Sequence, residues 1–309
     1  MILLLVLILP LGASKYAGEI FNFSPGVLNQ AMGNTGLTYR GSIAAGWWNP
    51  ALLAADTYSG VELMRSNYFE GLLHQNQISL RLGQVASVNI NHLAIDEVKL
   101  TKLEQEDEEL SNDNRPYVWK TVTNQDVIVY GGFARPLREN IFVGISPKLA
   151  YRDLAQHSGY GFGADLGAYW AINNALSMGL NLRDFFGTQI LWESGEHEVA
   201  LPNLDFETAY GFTVLKYKIP VTLVARIQGY AEERGDASNL SSSSLSADLH
   251  GGFMVQPIPA LKLMAGYDVD SFTTGLGLRL KALGLNYAFR NGSSDSLGYT
   301  QQISMSYSW

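Results

Sequence analysis

From Phe272 to Trp309 the chain alternates with a period of two. Phe272, Leu276, Leu278 and Leu280 share one parity, and Thr273, Gly275, Gly277, Arg279 and Lys281 share the other. Leu283, Leu285, Tyr287 and Phe289 then alternate with Ala282, Gly284, Asn286, Ala288 and Arg290. Beyond the polar stretch 291–296, a third run sets Leu297, Tyr299, Ile303, Met305, Tyr307 and Trp309 against Gly298, Thr300, Gln302, Ser304, Ser306 and Ser308. Such alternation predicts strands with one apolar and one polar face, each about ten residues long, the length at which a tilted strand crosses a bilayer.

A soluble sandwich would turn the apolar face toward a second sheet and the polar face toward water. Here the polar face is rich in Gly and Ser, which suits a crowded or curved interior better than an open surface. The sequence ends on Tyr307-Ser-Trp309, an aromatic terminus of the kind that closes bacterial outer-membrane barrels. Mean hydropathy is near zero although 47% of the residues are apolar, as expected when two faces cancel. The absence of Cys excludes disulfide frameworks and thiol chemistry. A net charge of −8 with scattered basic residues argues against nucleic acid as a partner.

In chain order, Met1–Leu11 is an apolar run too short to span a bilayer, followed by the small residues Gly12, Ala13 and Ser14. Residues 1–14 are therefore expected to be a signal peptide, although no basic residue precedes the apolar run. Residues 15–57 do not alternate. They are too apolar for a linker, and after Asn49-Pro50 they carry one short helix with Pro in its first turn. This segment is expected to fill one end of a barrel as a plug or hatch. From Tyr58 on, about 14 strand-like runs follow, those near 58–68, 124–134 and 259–269 alternating less cleanly than the rest.

The connections sort by parity. Those after even-numbered runs are tight, such as Gly83-Gln84, Ile172-Asn173-Asn174 and Lys281-Ala282. Most of those after odd-numbered runs are long and polar, near 96–123, 187–202, 232–243 and 291–296. A sandwich has no reason for this division, whereas an outer-membrane barrel has short periplasmic turns and long outer loops. The expected fold is an all-β transmembrane β-barrel of about 14 antiparallel strands over residues 58–309, in the bacterial outer membrane and in contact with its lipid. Assembly would require the barrel-assembly machinery, with Tyr307 and Trp309 on the closing strand.

The polar parity carries Glu62, Arg81, Lys148, Asp165, Arg183, Asp205, Glu207, Arg226, Asp248, Lys262, Asp268 and Arg279. An Arg or Lys on the lipid face at mid-depth would cost about 2–4 kcal/mol, so these residues are expected to face the lumen. Acids and bases are equally represented, which suits a salt-bridged scaffold more than an ion-selective path. No metal or cofactor is expected. The five His (His74, His92, His157, His197 and His250) are dispersed, and the acidic run Glu104–Glu109 lacks the Gly and ligand spacing of a calcium loop. No Ser-His-acid grouping can be assembled and no nucleophile elbow is present, so an enzyme is not expected.

Phe21-Asn22-Phe23, then Ala31-Met32-Gly33-Asn34-Thr35-Gly36, then Trp47-Trp48-Asn49-Pro50-Ala51-Leu52-Leu53 resemble the N-terminal signature of the PorV/PorQ family. The resemblance in motif covers residues 21–53. It departs from the family pattern at Asn34, where a second Gly is usual, and in the stretch around Tyr39-Arg40-Gly41, where an acidic pair is often found. In layout the whole chain is similar to the FadL-like fatty-acid transporters, 14-stranded barrels with an N-terminal plug. The first likeness implies a non-enzymatic role in protein secretion, associated with the type IX secretion system, with secreted cargo proteins or secretion subunits as partners. The alternative it leaves open is passive transport of hydrophobic compounds. For that, Phe21, Phe23, Trp47 and Trp48 are the expected lining of a greasy pocket.

Overall fold

The computed structural model describes residues 17–155, 157–214, 216–292 and 298–309. The expected signal peptide and Leu297, first of the last alternating run, lie outside the described residues. One antiparallel sheet gathers 17 strands. Three of these are short and belong to outer loops: Thr188–Trp192, His197–Ala200 and Leu240–Ser242. The other 14 form a closed ring. They are β1 (Gly60–Tyr68), β2 (Leu73–Leu82), β3 (Ala86–Leu103), β4 (Pro116–Arg138), β5 (Ile141–Leu154), β6 (His157–Ala171) and β7 (Leu176–Arg183). They continue with β8 (Asn203–Val214), β9 (Ile219–Tyr230), β10 (Leu245–Ile258), β11 (Leu261–Asp268), β12 (Ser271–Leu280), β13 (Leu283–Arg290) and β14 (Thr300–Ser308). Each strand pairs with its neighbour in this order. The ring closes where β14 pairs with β1, from Gly60↔Ser308 to Asn67↔Gln301. At the seam, Trp309 and Ser59 exchange backbone hydrogen bonds of 3.0 Å in both directions.

Closure leaves no open edge, and the outward parity is apolar around the circumference. Leu63, Ile78, Phe133, Leu149, Phe162, Leu204, Leu223, Phe253, Leu263, Leu285 and Met305 all face away from the lumen and are exposed. A continuous belt of this size exceeds the few hundred Å² that a monomeric protein in water exposes, and it fits a hydrocarbon solvent. The protein is an outer-membrane β-barrel. Tyr307 and Trp309 both lie on the exposed side, with ring centroids 5.9 Å apart.

Tight turns at Gly83–Val85, Glu139–Asn140, Ile172–Ala175, Pro259–Ala260 and Lys281–Ala282 mark the inner rim. The long excursions all leave the other rim. One expected boundary needs correction. Residues 96–123 are not mainly loop, because β3 and β4 run on past the ring as a long hairpin whose tip begins at Glu104. The residues concerned, Val98, Leu100, Thr101 and Tyr117–Thr123, are largely β-branched or aromatic, and pairing continues through them despite their polarity.

The barrel is not hollow. Residues 17–59 thread its interior with a short α-helix, α1 (Val27–Ala31), a single helical turn at Ala45–Trp48, and a 3₁₀ turn at Pro50–Leu53. Asn49 caps that last turn, its side chain accepting from Ala51 N–H at 3.1 Å, and Pro50 occupies the first position, where a missing N–H costs nothing. Three buried apolar clusters hold the core, each formed where this segment meets the inner wall.

Candidate functional site

The wall grips the segment mainly through the segment's backbone. Arg81 on β2 donates to the carbonyls of Leu52 (3.1 Å), Leu53 (3.2 Å) and Asp56 (3.3 Å), and its guanidinium lies 4.2 Å from the Tyr58 ring centre. Burial pushes the Tyr58 phenol well above its ordinary pKa, so it stays neutral beside Arg81. Glu207 on β8 accepts from Gly36 N–H at 2.7 Å, Thr38 N–H at 2.8 Å and the Thr38 hydroxyl at 2.5 Å. Arg226 on β9 donates to Asn34 O at 2.6 Å, and Asn181 on β7 donates to Trp48 O at 2.8 Å. Gln75 and Asn91 both donate to Phe23 O. A strandless segment carries unpaired peptide groups, and these side chains satisfy them where water is excluded.

The charges also pair among themselves. Lys148 sits between Asp165 at 2.8 Å and Asp184 at 2.6 Å, all three buried. Asp205 bridges Arg183 at 2.7 Å and Arg226 at 2.9 Å. Asp268 holds His250 at 2.8 Å and Arg290 at 3.3 Å. Glu62 accepts from Ser304 at 2.7 Å. Ten of the twelve expected lumen charges are buried, Asp248 among them. Lys262 is half-buried, with its ammonium on the Tyr39 hydroxyl at 2.9 Å. Arg279 departs from expectation. It is exposed at the inner rim and donates to Lys281 O at 3.2 Å, because its strand ends there. Asp184 escaped the sequence reading. It lies just beyond the end of β7, where alternation stops giving direction.

Residues 31–34 meet the wall at a point with no room for side chains. Gly33 has φ +75°, and a Cβ there would run into the Gly251 and Tyr267 carbonyls of β10 and β11. Gly252 and Gly266 face the Met32–Gly33 backbone equally closely. Asn34 follows at φ 58°, in the left-handed region that Asn tolerates. Met32 is buried, and Gly33 N–H donates to Thr273 Oγ1 at 2.9 Å. On the opposite wall Gly144 makes room for Pro50, where an added Cβ would come 2.6 Å from its carbonyl carbon and 2.7 Å from Ala51 N. Asn49 spans the gap, donating to Leu37 O at 3.0 Å and to Ala168 O at 2.9 Å.

An aromatic layer crosses the middle. Trp47 and Trp48 meet edge to face at 4.9 Å, and Trp47 reaches Tyr130 on β4 at 6.4 Å. Arg183 lies 4.0 Å over Trp47, and Lys148 lies 4.5 Å over Phe21. Phe21, Trp47 and Trp48 are thus packed solid rather than lining a pocket, which corrects the expectation for them. Phe23 alone of the four borders open space. It meets Tyr68 edge to face at 5.2 Å and lines a cavity of about 330 Å³ at the outer rim, with Phe69, Tyr230 and His250 among its walls. Gln30 and Asn34 form part of its floor. Beneath the same segment, cavities of about 70 and 730 Å³ open at the inner rim, bordered by Leu28 and Asn29 and by Met32 and Thr38 respectively. Helix α1 and the turn after it form the septum between the two sides. The acidic run Glu104–Glu109 is exposed at the tip of the β3–β4 hairpin, and His197 lies in an outer-loop strand, bonded to Gln189 at 2.7 Å.

No protein-family model matches the sequence, and no curated protein does either. Solved structures do match. The toluene transporter TodX of Pseudomonas putida aligns with a TM-score of 0.57 at 12% identity, covering 92% of this chain and 98% of its own. The toluene transporter TbuX of Ralstonia pickettii gives 0.55 at 13% identity, with coverages of 92% and 97%. The monoaromatic hydrocarbon channel CymD gives 0.52 at 12% identity, with coverages of 92% and 96%. The fold is the 14-stranded barrel architecture of these structures. At these identities the likeness establishes the fold over nearly the whole chain, and none of these structures is a PorV/PorQ protein.

Proposed function

We propose that this protein is a non-enzymatic channel through which small hydrophobic compounds cross the outer membrane by diffusion, with residues 17–57 as its plug. The observation that carries this reading is the aromatic-walled outer cavity, lined by Phe23, Tyr68, Phe69 and Tyr230 and separated by a thin septum from cavities at the inner rim. Its volume falls within the roughly 300–1,000 Å³ of small-molecule sites. The whole-length likeness to toluene transporters and a hydrocarbon channel supports the same class of solute. It favours uptake over the export role implied by the residues at 21–53. Toluene entry into proteoliposomes carrying the purified full chain is expected to exceed that into liposomes carrying a mutant whose plug is tied to the wall by an engineered disulfide. Equal entry in the two would overturn the reading.

The export role keeps one specific support, the pattern at Phe21–Phe23, Met32–Asn34 and Trp47–Leu53. Recovery of secretion subunits or of secreted cargo with the barrel from gently solubilised membranes, together with no toluene entry, would restore it.

A further inference from the structure

Two buried side chains in the lining of the outer cavity each leave one polar atom without a partner among the described residues. His250 and Asp248 both line it, 6% and 5% exposed. His250 uses Nδ1 on the Asp268 carboxylate at 2.8 Å, while its Nε2 has no partner among the described residues. A carboxylate only accepts, so Nδ1 is the atom that donates to Asp268, and in the tautomer this fixes Nε2 is the acceptor. Asp248 Oδ1 has no partner either. Buried polar atoms are nearly always satisfied, and two unsatisfied acceptors two residues apart on one lumen face of β10 call for a hydrogen-bond donor from outside the chain.

The rest of the cavity limits what that donor belongs to. Phe23 and Tyr68 lie nearly perpendicular and form an aromatic corner, against which an incoming ring can pack face to face on one and edge to face on the other. Of the charged residues in the lining, Glu19, Asp248, Asp268 and Asp270 are acids and Arg234 and Arg290 are bases, an excess of two acids. Arg234 is engaged with Glu19 at 2.6 Å, and Arg290 with Asp268 at 3.3 Å. Each arginine keeps an Nε–H without a hydrogen-bond partner among the described residues, but its charge is already offset by an acid at contact distance, so an incoming carboxylate would meet two unpaired acceptors and a net negative field.

Building on the uptake reading, we propose that this cavity is a selectivity site for monoaromatic compounds bearing a hydrogen-bond donor, hydroxyl or amine, and that it disfavours both bare hydrocarbons and aromatic acids. The donor would sit between His250 Nε2 and Asp248, with the ring against Phe23 and Tyr68.

The test is equilibrium dialysis of the full chain in detergent with four probes sharing one ring: toluene, p-cresol, the methyl ether of p-cresol, and p-toluate. The ether removes only the donor. One hydrogen bond to a charged group is worth about tenfold or more in affinity. The expected order is p-cresol about tenfold above its ether and above toluene, with p-toluate weakest. In His250→Phe and Asp248→Leu the ratio of p-cresol to ether affinity is expected to fall toward one. Heat-resistant mobility in gels shows whether each variant folds, and should either fail, the four probes on the unaltered protein decide by themselves. Ether and p-cresol binding alike, or p-toluate binding best, would overturn the site. Toluene binding without donor preference would sink only this inference, whereas no binding of any of the four would also sink the uptake reading.

Discussion

Glu207→Gln changes one atom of the wall and tests whether buried side chains hold the plug by its backbone. The carboxylate is fully buried and takes three hydrogen bonds from Gly36 and Thr38. In the amide one oxygen still accepts, but the other has become an N–H₂ facing a backbone N–H. The change loses one charge-assisted bond and leaves one buried donor unmatched, together about 2–4 kcal/mol. At 1.36 kcal/mol per tenfold, the local opening of residues 36–38 becomes roughly 30- to 1,000-fold more frequent. Amide hydrogen exchange reads this directly, since protection reports the free energy of local opening. Gly36 and Thr38 amides are expected to exchange faster by that factor, while the β8 ladder amides of Ala209 and Tyr210 hold. Rates at Gly36 and Thr38 within about twofold of the unaltered protein, the size of an ordinary surface change, would refute the view that the wall clasps the segment.

Other perturbations probe other contacts. Gly144→Val pushes a Cβ into the Pro50–Ala51 backbone, which cannot yield as a flexible side chain would, and is expected to cost about 1–3 kcal/mol or more, read as a lower urea midpoint for plug release by fluorescence of Trp47 and Trp48. Lys148→Met leaves Asp165 and Asp184 adjacent and uncompensated, for a loss of about 3–5 kcal/mol in urea unfolding at neutral pH. Burial raises the Asp184 carboxyl above its ordinary pKa even with Lys148 opposing the shift, and removing the ammonium raises it further. The deficit of the Lys148→Met protein should therefore shrink at acid pH and grow as pH rises through the raised value; a pH-independent deficit would contradict this. Removal of Trp309 deletes the paired hydrogen bonds to Ser59 at the seam and should slow formation of the heat-modifiable folded band.

The ring was legible because its two solvents impose opposite demands on alternate residues, and because loop length separates the rims. The three runs that alternated poorly were also informative, for a reason the sequence alone does not disclose. In β1 Met64 and Tyr68 point inward and Arg65 outward; in β4 Ile128 and Tyr130 point inward; in β11 Met264 does. Met64 and Met264 pack against Val27, Ala31 and Met32, and Ile128 and Tyr130 pack near Trp47. Apolar residues on the lumen parity are thus the footprint of the plug on the wall. The lumen glycines carry the same information, since Gly252 and Gly266 stand where residues 32–33 press close. What stayed hidden depends on distant meetings. His250 looked isolated because its partner Asp268 arrives from the next strand, and the Lys148 site is completed by a residue just outside a strand. Trp47 and Trp48 looked like a binding surface because composition cannot tell a filled aromatic layer from an open one.

The way the plug is held bears on where a solute could pass. Around residues 36–38 and 52–56 the wall uses buried charges, and separating these contacts would strand Glu207 and Arg81 without partners, a loss of several kcal/mol at each. Helix α1 is held differently. Its neighbours are Met64, Met264 and Ala288, with Met254 beside them, and its nearby polar ties are those of Thr273 to Gly33 N–H and Ala31 O. Contacts of this kind are exchangeable: a methionine side chain repacks at little cost, and an apolar solute replaces the surface it displaces. A short helix lacking a side-chain cap has little internal stability of its own to resist such exchange. The same helix separates the outer cavity, where Gln30 and Asn34 form part of the floor, from the inner cavity bordered by Leu28 and Asn29. If the protein is the channel proposed above, the path of least resistance for a small aromatic runs along the methionine face of α1, beneath β1 and β11–β13, while the charged clasps keep the remainder of the plug in place.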